Sequence, residues 1–262
     1  MELHEVLEKV RSGAMSIDEA VGELRMLAFE RVGEVAKLDT HRAARCGVPE
    51  VILGEGKSPQ EVEDLARAML SSRGRALVSR VSEEQRKRLE HMVGFTWHAR
   101  PRLAVLRSAP PLACGGRVGM VTAGTSDVPV AEEARIIAEE MGCETRAAYD
   151  VGVAGIHRLF PDLGELLTWK PDTLVVAAGR EGTLPAVVAG LCDVPVVGLP
   201  TSTGYGEGGG GRAALYSMLQ SCSVLAVVNI DNGVGAGAFA ALVAVRAASA
   251  RRQANARGGK GG

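Results

Sequence analysis

Residues able to do chemistry are concentrated in five glycine-containing segments in the second half of this 262-residue sequence. The first segment contains Gly124, Thr125, Ser126 and Asp127 and precedes a helical pattern. Backbone N–H groups at the start of a helix bind anions well, because the helix dipole favours negative charge there. Capping of the helix by Ser126 or Asp127 explains the same residues equally well. The segment is therefore an anion site or a helix cap.

The second and third segments add groups that transfer protons or bind anions. In the second, Asp150 ends an apolar run and is followed by His157 and Arg158. A histidine can move protons near neutral pH and an arginine can hold a phosphate or a carboxylate, although such a pair is also common on solvated surfaces. The third segment places Glu181 on a glycine-flanked turn, where its carboxylate could act as a general base or cap the next helix.

The last two segments are the richest in glycine, and Cys222 lies between them. Six of the eight residues 204–211 are glycine, which we interpret as a mobile loop that approaches phosphate. Cys222 ends a helical pattern, a position where a cysteine is usually a small buried hydrophobic residue. The residues of these two segments that we expect to bind a ligand are Ser202, Gly204, Tyr205, Asn229, Asp231 and Asn232.

Each of the five segments follows a strand-like run, and each is followed by a helical pattern. The runs are RVGMVTA, TRAAYDV, TLVVAAG, PVVGLPT and VLAVVNI, and the helical patterns cover 128–142, 156–168, 184–192, 211–222 and 236–253. Apolar strands that alternate with helices predict an α/β domain with a doubly wound, mainly parallel sheet, in a flavodoxin-like or Rossmann-like three-layer arrangement. Ligands of such sheets bind beyond the carboxyl ends of the strands. We therefore expect the five segments to line one polar, phosphorylated ligand.

The first half has a different texture, which predicts a smaller N-terminal α+β domain. Three capping boxes each begin a helical pattern, and between them lie the short apolar segments GEVAKL, PEVILG and RALVSR. The boxes pair Ser16 with Glu19, Ser58 with Glu61, and Ser82 with Gln85. We predict an N-terminal domain at residues 1–107, a linker at 108–116, a catalytic domain at 117–250 and a flexible basic tail at 251–262.

Composition excludes several classes of partner. The net charge is −1, and only 3% of the residues are aromatic, so we expect no nucleic-acid partner. We expect no membrane span and no signal peptide, and the five scattered cysteines indicate free thiols rather than a disulfide framework. The sequence therefore predicts a cytoplasmic protein.

The motifs GTSDVPVAEEA, YDVGVAGIHRL, AGREGTLPAVVAGL, PVVGLPTSTGYGEGGGG, LQSCS and VNIDNGVGAG together resemble the LarB family of nickel-pincer nucleotide cofactor biosynthesis. The upstream segment LDTHRAARCGVPEVILGEGKS also resembles that family, so the resemblance covers residues 35–245. The second half is similar, more distantly, to the PurE-like fold of aminoimidazole ribonucleotide carboxylase. The resemblance implies a PurE-like catalytic domain and a closed homo-oligomer, an octamer by analogy.

The resemblance also implies an activity. LarB-like proteins carboxylate the pyridinium ring of nicotinic acid adenine dinucleotide with CO2 or bicarbonate and cleave its phosphoanhydride. The products are pyridinium-3,5-biscarboxylic acid mononucleotide and AMP. By matching motifs, Cys222 corresponds to the family's nucleophilic cysteine and Glu181 to its catalytic glutamate, while Ser126, Asp127 and His157 match the shared nucleotide-site pattern.

Magnesium is the ion expected to neutralise the phosphoanhydride, and no tightly bound organic cofactor is expected. Asp127, Asp150 and Asp231 are the options for indirect ligands, and the sequence does not choose among them. One residue departs from the family pattern, because Arg180 stands where the family usually has methionine. Arg180 could pair with Glu181 and lower its pKa, grip the substrate carboxylate, or point to solvent.

Two other functions stay open at this point. One is a purine-pathway aminoimidazole ribonucleotide carboxylase or mutase, whose substrate ring is already enamine-like and needs no thiol nucleophile. The other is a non-catalytic nucleotide-binding module, in which changes at Cys222 or Glu181 would alter only affinity.

Overall fold

A computed structural model of the chain describes residues 3–25, 30–32, 36–38 and 42–258. The chain forms two compact units. The first ends at Ala109 and the second begins at Pro110, with the short segment Ala99–Pro101 grouped with the second. Each unit has its own sheet and hydrophobic core.

The first unit mixes helices with short strands. Its sheet has the order β3-β4-β6-β5, in which β3 and β4 are parallel and the other pairs antiparallel, and β1 pairs with β2 in a separate antiparallel ribbon. The elements are α1 (Leu3–Arg11), α2 (Ile17–Arg25), β1 (Glu30–Val32), β2 (Ala36–Leu38), α3 (Arg42–Cys46), β3 (Val51–Leu53), α4 (Pro59–Arg73), β4 (Arg75–Ser79), α5 (Glu83–Leu89), β5 (Phe95–His98) and β6 (Leu103–Arg107).

All three predicted capping boxes are present. In the box that begins α4, the Ser58 N–H donates to the Glu61 carboxylate at 2.7 Å, and the Glu61 N–H donates to the Ser58 hydroxyl at 3.2 Å. Hydrogen bonds that the Ser58 backbone and side chain donate to the Glu61 carboxylate lower the pKa of Glu61. The boxes at Ser16 and Ser82 have the same reciprocal bonds. The sequence analysis does not predict strands β5 and β6, because such short runs show no clear hydrophobic period.

The second unit is a five-stranded parallel sheet in the order β11-β10-β9-β7-β8. Its elements are β7 (Arg117–Thr122), α6 (Val128–Glu140), β8 (Glu144–Ala148), α7 (Leu159–Thr168), β9 (Thr173–Ala178), α8 (Leu184–Leu191), β10 (Val196–Pro200), α9 (Arg212–Leu219), β11 (Ala226–Val227) and α10 (Gly233–Gly258). The predicted alternation of strands and helices is confirmed, and the order is the flavodoxin-like one.

Helices cover both faces of this sheet. One core joins α7, α8 and α9 to the strands through side chains such as Leu163, Val188 and Met218. The other joins α6 and α10 through small side chains such as Ala134 and Ala240. The doubly wound three-layer prediction is therefore confirmed.

Helix α10 extends further toward the C-terminus than predicted. It continues to Gly258, so the described residues 251–258 are helical rather than a flexible tail, while residues 259–262 lie outside the described part. Arg251 pairs with the Asp172 carboxylate and Arg252 donates to the Cys114 carbonyl, which anchors the last turns.

The stretch Gly233–Asn255 is also long and apolar enough, by length and composition, to cross a membrane, which the sequence reading did not anticipate. Its small residues instead pack against α6: a Cβ on Gly237 would lie 2.2 Å from the Ala134 carbonyl oxygen. Close helix packing of this kind requires glycine and alanine. The face of α10 that packs on α6 therefore belongs to the domain core, and 44% of the apolar stretch is buried.

Candidate active site

The connections that begin at the carboxyl ends of the strands lie along one edge of the second sheet. The chain leaves β7 toward β8 on one side and later returns to β9 on the other side of β7. The crevice between β7 and β9 is thus the topological switch point, where open α/β sheets bind ligands. The segments with Asp127 and Glu181 follow these two strands.

Asp127 is the buried centre of this edge, with only 4% of its surface exposed. Its carboxylate accepts hydrogen bonds from the Gly124 N–H at 2.9 Å, the Thr201 hydroxyl at 2.5 Å and the Thr203 hydroxyl at 2.7 Å. Hydrogen bonds to a buried carboxylate are strong, and losing one is costly. Asp127 therefore joins the first and fourth segments, and its oxygens are engaged within the chain.

Thr201 and Thr203 were missed by the sequence reading, although both stand in the quoted motif PTSTGYG. Their hydroxyl oxygens are also 2.6 Å from each other. A Thr-x-Thr pair after a buried strand is common, so only the contact with Asp127, 74 and 76 residues away, reveals their role. Thr125 and Ser126, by contrast, are exposed at this edge, and neither side chain caps the short 3-10 turn Thr125–Asp127 or helix α6.

Backbone bonds bring the third and fifth segments to the same place. The Arg180 N–H donates to the Thr203 carbonyl at 2.9 Å. The Ser202 N–H donates to the Asp231 carboxylate at 2.8 Å, and the Asp231 N–H donates to the Pro200 carbonyl at 2.9 Å. Four of the five predicted segments are thus bonded to one another.

Asn229 and Asn232 serve the backbone of the fifth segment. The Asn232 side-chain oxygen accepts from the Gly235 N–H at 2.8 Å in the first turn of α10. The Asn229 oxygen accepts from the Ile230 N–H at 2.8 Å. Both oxygens are therefore used locally in this structure.

The second segment lies on the other side of β7 and is more open. The Arg158 guanidinium donates to the Asp150 carboxylate at 2.8 Å, and both side chains are nearly half exposed. The Asp150 N–H donates to the Thr122 hydroxyl at 3.1 Å, which ties this segment to the end of β7. His157 is exposed beside Arg158 in the 3-10 helix Val153–Arg158. This 3-10 helix begins three residues before the predicted helix start at 156.

Tyr149, next to Asp150, is anchored away from solvent. Its hydroxyl donates to the Glu132 carboxylate on α6, which also accepts from Arg135. Burial and the Glu132 carboxylate raise the pKa of Tyr149 above its ordinary value, so the phenol stays protonated. The pair fixes the end of β8 on α6.

Glu181 is exposed on the turn after β9. The neighbouring Arg180 side chain contacts Tyr205. The Arg180 guanidinium carbon lies 5.0 Å from the centre of the Tyr205 ring, and its Nη2 donates to the Tyr205 hydroxyl at 2.9 Å. Tyr205 itself is 80% exposed. Arg180 is exposed to solvent, which is the third of the predicted options, and its side chain stacks on the exposed ring of Tyr205.

Cys222 is exposed, but the fold separates it from Glu181. Helix α9 begins beside the Glu181 turn, since a Cβ on Gly182 would lie 2.6 Å from the Ala214 Cα atom. The helix then runs back toward the amino ends of the strands, where Cys222 precedes β11. A helix of eight residues is about 12 Å long. The structure therefore gathers the predicted site residues around β7, β9 and β10 and leaves Cys222 at the opposite end of the sheet.

The carboxylates expected to help magnesium do not form a ligand set. Asp127 and Asp231 accept hydrogen bonds from the chain, and Asp150 pairs with Arg158. Among the described residues, no group of three or more His, Cys, Asp or Glu side chains is placed to hold a metal ion. Magnesium commonly binds through substrate phosphates with few protein ligands, so it fits this edge only as an ion carried by the substrate.

Two family models match the chain. The LarB/PurE-like N-terminal domain matches residues 29–108, and AIR carboxylase matches residues 117–257. An uncharacterized protein of Methanocaldococcus jannaschii is 41% identical over 250 residues, covering 92% of this chain and 96% of that protein.

Shorter matches cover the second unit. The N5-carboxyaminoimidazole ribonucleotide mutase of Thermotoga maritima is 29% identical over 133 residues, covering 48% of this chain and 74% of the mutase. The corresponding mutase of Methanocaldococcus jannaschii is 34% identical over 125 residues, covering 46% of this chain and 74% of the mutase. The crystal structure of a variant of Treponema denticola PurE2 aligns with 54% of this chain and 92% of its own, at 20% identity and a TM-score of 0.41.

Proposed function

The chain belongs to the LarB family, which joins a LarB/PurE-like N-terminal domain to an AIR carboxylase domain, and from this premise we propose a specific reaction for it. The domains support a carboxylase-type enzyme. We propose that the substrate is nicotinic acid adenine dinucleotide with CO2 or bicarbonate, and that the products are pyridinium-3,5-biscarboxylic acid mononucleotide and AMP, in nickel-pincer nucleotide cofactor biosynthesis. The observation that carries the proposal is Glu181, exposed beside the switch point of an AIR carboxylase-type sheet.

The proposed carboxylation needs a nucleophile because a pyridinium carbon is too electron-poor to attack CO2. The Cys222 thiolate adds to the ring, a C–S bond forms, and an electron pair moves to the ring nitrogen. The resulting enamine carbon attacks CO2 and forms the new C–C bond. Glu181 then takes the proton from that carbon, and the thiolate leaves with the electron pair of the C–S bond, which restores the pyridinium ring.

The rest of the edge supports binding and cleavage of the dinucleotide. The exposed hydroxyls of Thr125 and Ser126 and the cation of Arg158 offer donors for phosphate oxygens. His157, exposed beside Arg158, is the proposed group that moves a proton when water cleaves the phosphoanhydride. Magnesium carried by the phosphates would supply charge neutralisation. We place the reaction in the cytoplasm, where Cys222 stays reduced.

We infer a second copy of the chain from the separation of Cys222 and Glu181. Both groups must reach neighbouring carbons of one ring, yet one chain places them about one helix length apart. Tyr216, Leu219 and Val224 expose apolar surface around Cys222, and Val224 is 93% exposed. We propose that this surface packs against the carboxyl edge of a second copy, so that each site takes Cys222 from one copy and Glu181 from another, within a homo-oligomer that the family resemblance makes an octamer.

Mass spectrometry of the full chain with nicotinic acid adenine dinucleotide, bicarbonate and magnesium tests the reaction. We expect AMP and the doubly carboxylated mononucleotide from the wild type, and neither carboxylated product nor AMP from Cys222→Ala or Glu181→Gln. Unchanged substrate with the wild type would overturn the proposed reaction.

Mixing the two inactive variants tests the shared site separately. If each site draws Cys222 and Glu181 from different copies, random assembly of equal amounts restores about a quarter of the wild-type rate. If both groups come from one chain, the mixture stays inactive. The wild-type rate, measured beside it, distinguishes a wrong site arrangement from a wrong reaction.

The mutase matches favour one second candidate, an aminoimidazole ribonucleotide carboxylase or mutase. Its substrate ring is already nucleophilic, so Cys222→Ala would keep the wild-type rate with that substrate. Turnover of aminoimidazole ribonucleotide by both proteins, with none of the dinucleotide, would select this alternative. Binding of the dinucleotide without turnover of either substrate would indicate a nucleotide-binding module.

A further inference from the structure

Two cysteines outside the proposed site lie side by side in the second unit. The sulfur atoms of Cys114 and Cys143 are 3.5 Å apart, which is van der Waals contact. All five cysteines of the chain are in the described residues and all are free thiols. Cys46 and Cys222 are exposed, and the Cys192 sulfur lies 3.3 Å from the Val188 carbonyl oxygen. No second sulfur pair is seen in this described part of the chain.

The backbone fixes the two thiols in this arrangement. The Cys114 N–H donates to the Gly142 carbonyl at 2.9 Å, immediately before Cys143. Gly142 has a φ of 86°, and a Cβ there would lie 2.1 Å from the Leu112 carbonyl oxygen, so only glycine allows the two segments to approach so closely. The Gly116 N–H also lies 3.3 Å from the Cys114 sulfur, toward which it donates.

We propose that Cys114 and Cys143 form an oxidation site, in which a peroxide converts the two thiols to an intramolecular disulfide. The Cys114 thiol releases its proton and its sulfur attacks one oxygen of hydrogen peroxide; the O–O bond breaks, a sulfenic acid forms, and the departing hydroxide takes up the released proton and leaves as water. The Cys143 sulfur then attacks the sulfenic sulfur, the S–S bond forms, and the departing hydroxide takes the Cys143 proton and leaves as water. Two thiols and one peroxide thus give one disulfide and two waters.

The surroundings assign the order of the two thiols. Cys114 is partly exposed, so peroxide reaches it first, whereas Cys143 is buried in the core that α6 and α10 form. Burial raises the pKa of Cys143, with Cys114 as the next contribution, so its thiol stays protonated until the second step. An S–S bond of about 2.05 Å requires the two sulfur atoms, now 3.5 Å apart, to move about 1.5 Å closer.

The link would close a loop that contains β7, the turn Gly124–Asp127 and α6. A crosslink of this length restricts the unfolded chain, so we expect oxidation to raise the Tm of the second unit by about 10 °C. Because Cys222 lies elsewhere in the unit, the oxidation site does not depend on the proposed reaction.

Limited oxidation of the full wild-type chain with hydrogen peroxide tests the proposal. After alkylation of free thiols and proteolysis, we expect a linked Cys114–Cys143 peptide that has lost two hydrogen atoms and that dithiothreitol separates. In the matched control Cys143→Ser, the Cys114 sulfenic acid has no partner, so Cys114 should gain two oxygen atoms instead.

Two results would overturn the proposal. One is a wild-type chain in which Cys114 gains two oxygen atoms without forming the link. The other is a chain in which Cys46, Cys192 or Cys222 oxidises while Cys114 and Cys143 remain free thiols. Both are read from the wild-type chain itself, so neither depends on whether a variant folds.

Discussion

The helices of the first unit and the turns of the second unit are fixed by contacts of very different range. Helices α2, α4 and α5 each begin with a capping box, in which the bonded residues are three positions apart. The turns of the second unit are held by Asp127, whose partners Thr201 and Thr203 are 74 and 76 positions away. Local contacts form as soon as the helix forms, whereas the Asp127 contacts exist only once the sheet is assembled.

This difference in range predicts which substitutions should lower the free energy of unfolding most. A capping box that is solvated loses only part of its bond energy when one partner is removed, because water replaces it. A buried carboxylate with three donors leaves those donors unpaired when it is removed. We therefore expect the long-range contacts of the second unit to dominate both stability and the shape of the site.

The largest effect is expected at Asp127. Asp127→Asn keeps only one acceptor oxygen and removes the charge, so its NH2 group must face either the Gly124 N–H or the two threonine hydroxyls, and that side loses its anionic acceptor. We expect a loss of about 3 kcal/mol in the free energy of unfolding, measured by urea denaturation, and a fall of at least about tenfold in the rate with the dinucleotide.

Asp150→Asn is the matched control for stability, since its ion pair with Arg158 is nearly half exposed. We expect it to cost less than about 1 kcal/mol. Equal losses in the free energy of unfolding for Asp127→Asn and Asp150→Asn would contradict the expected difference between buried long-range contacts and exposed contacts.

A smaller effect is expected at Glu133, another long-range contact. Its buried carboxylate accepts from the Val234 N–H at 3.2 Å, 101 positions away, and so caps the first turn of α10. Glu133→Ala should lower the free energy of unfolding by about 2 kcal/mol, because the α10 N-terminus loses a buried anionic acceptor. Thermal unfolding monitored by circular dichroism checks this, and an unchanged Tm would contradict it.

The capping box of α4 provides the local counterpart. Ser58→Ala removes the hydroxyl that accepts from the Glu61 N–H and should cost about 1 kcal/mol in the first unit. Ser72→Ala, on the same helix, removes only an exposed bond to the Ala68 carbonyl and should cost close to nothing. A Ser58→Ala loss larger than that of Asp127→Asn would reverse the comparison.

The smallest effect on stability is expected at Arg180, although it lies in the second unit. Its guanidinium contacts the exposed side chain of Tyr205, so Arg180→Met should leave the Tm unchanged while raising the KM for the dinucleotide by about threefold through loss of an exposed cation. Steady-state kinetics checks this. A change in kcat with no change in KM would instead mean that Arg180 acts on Glu181.

Features that depend on neighbouring residues in the chain could be predicted from the sequence. Capping boxes, apolar strands and helical periods can be recognised because their partners lie within a few residues, and they predicted where α4, α5, α6 and α8 begin and the alternation of strands and helices in the second unit. The glycine-containing turns could be placed at one sheet edge for the same reason, since parallel strands bring their carboxyl ends together.

The contacts of the side chains at that edge could not be predicted in this way, because they form only in the folded chain. In the folded chain, Asp127 is buried beside two threonines and Arg180 contacts Tyr205. Helix α10 continues past Arg251 and Arg252, and Cys222 lies beyond the far end of α9. These outcomes depend on strand order and on how closely helices pack. The spacing of nearby residues predicts neither, because residues that meet across a sheet are far apart in the sequence.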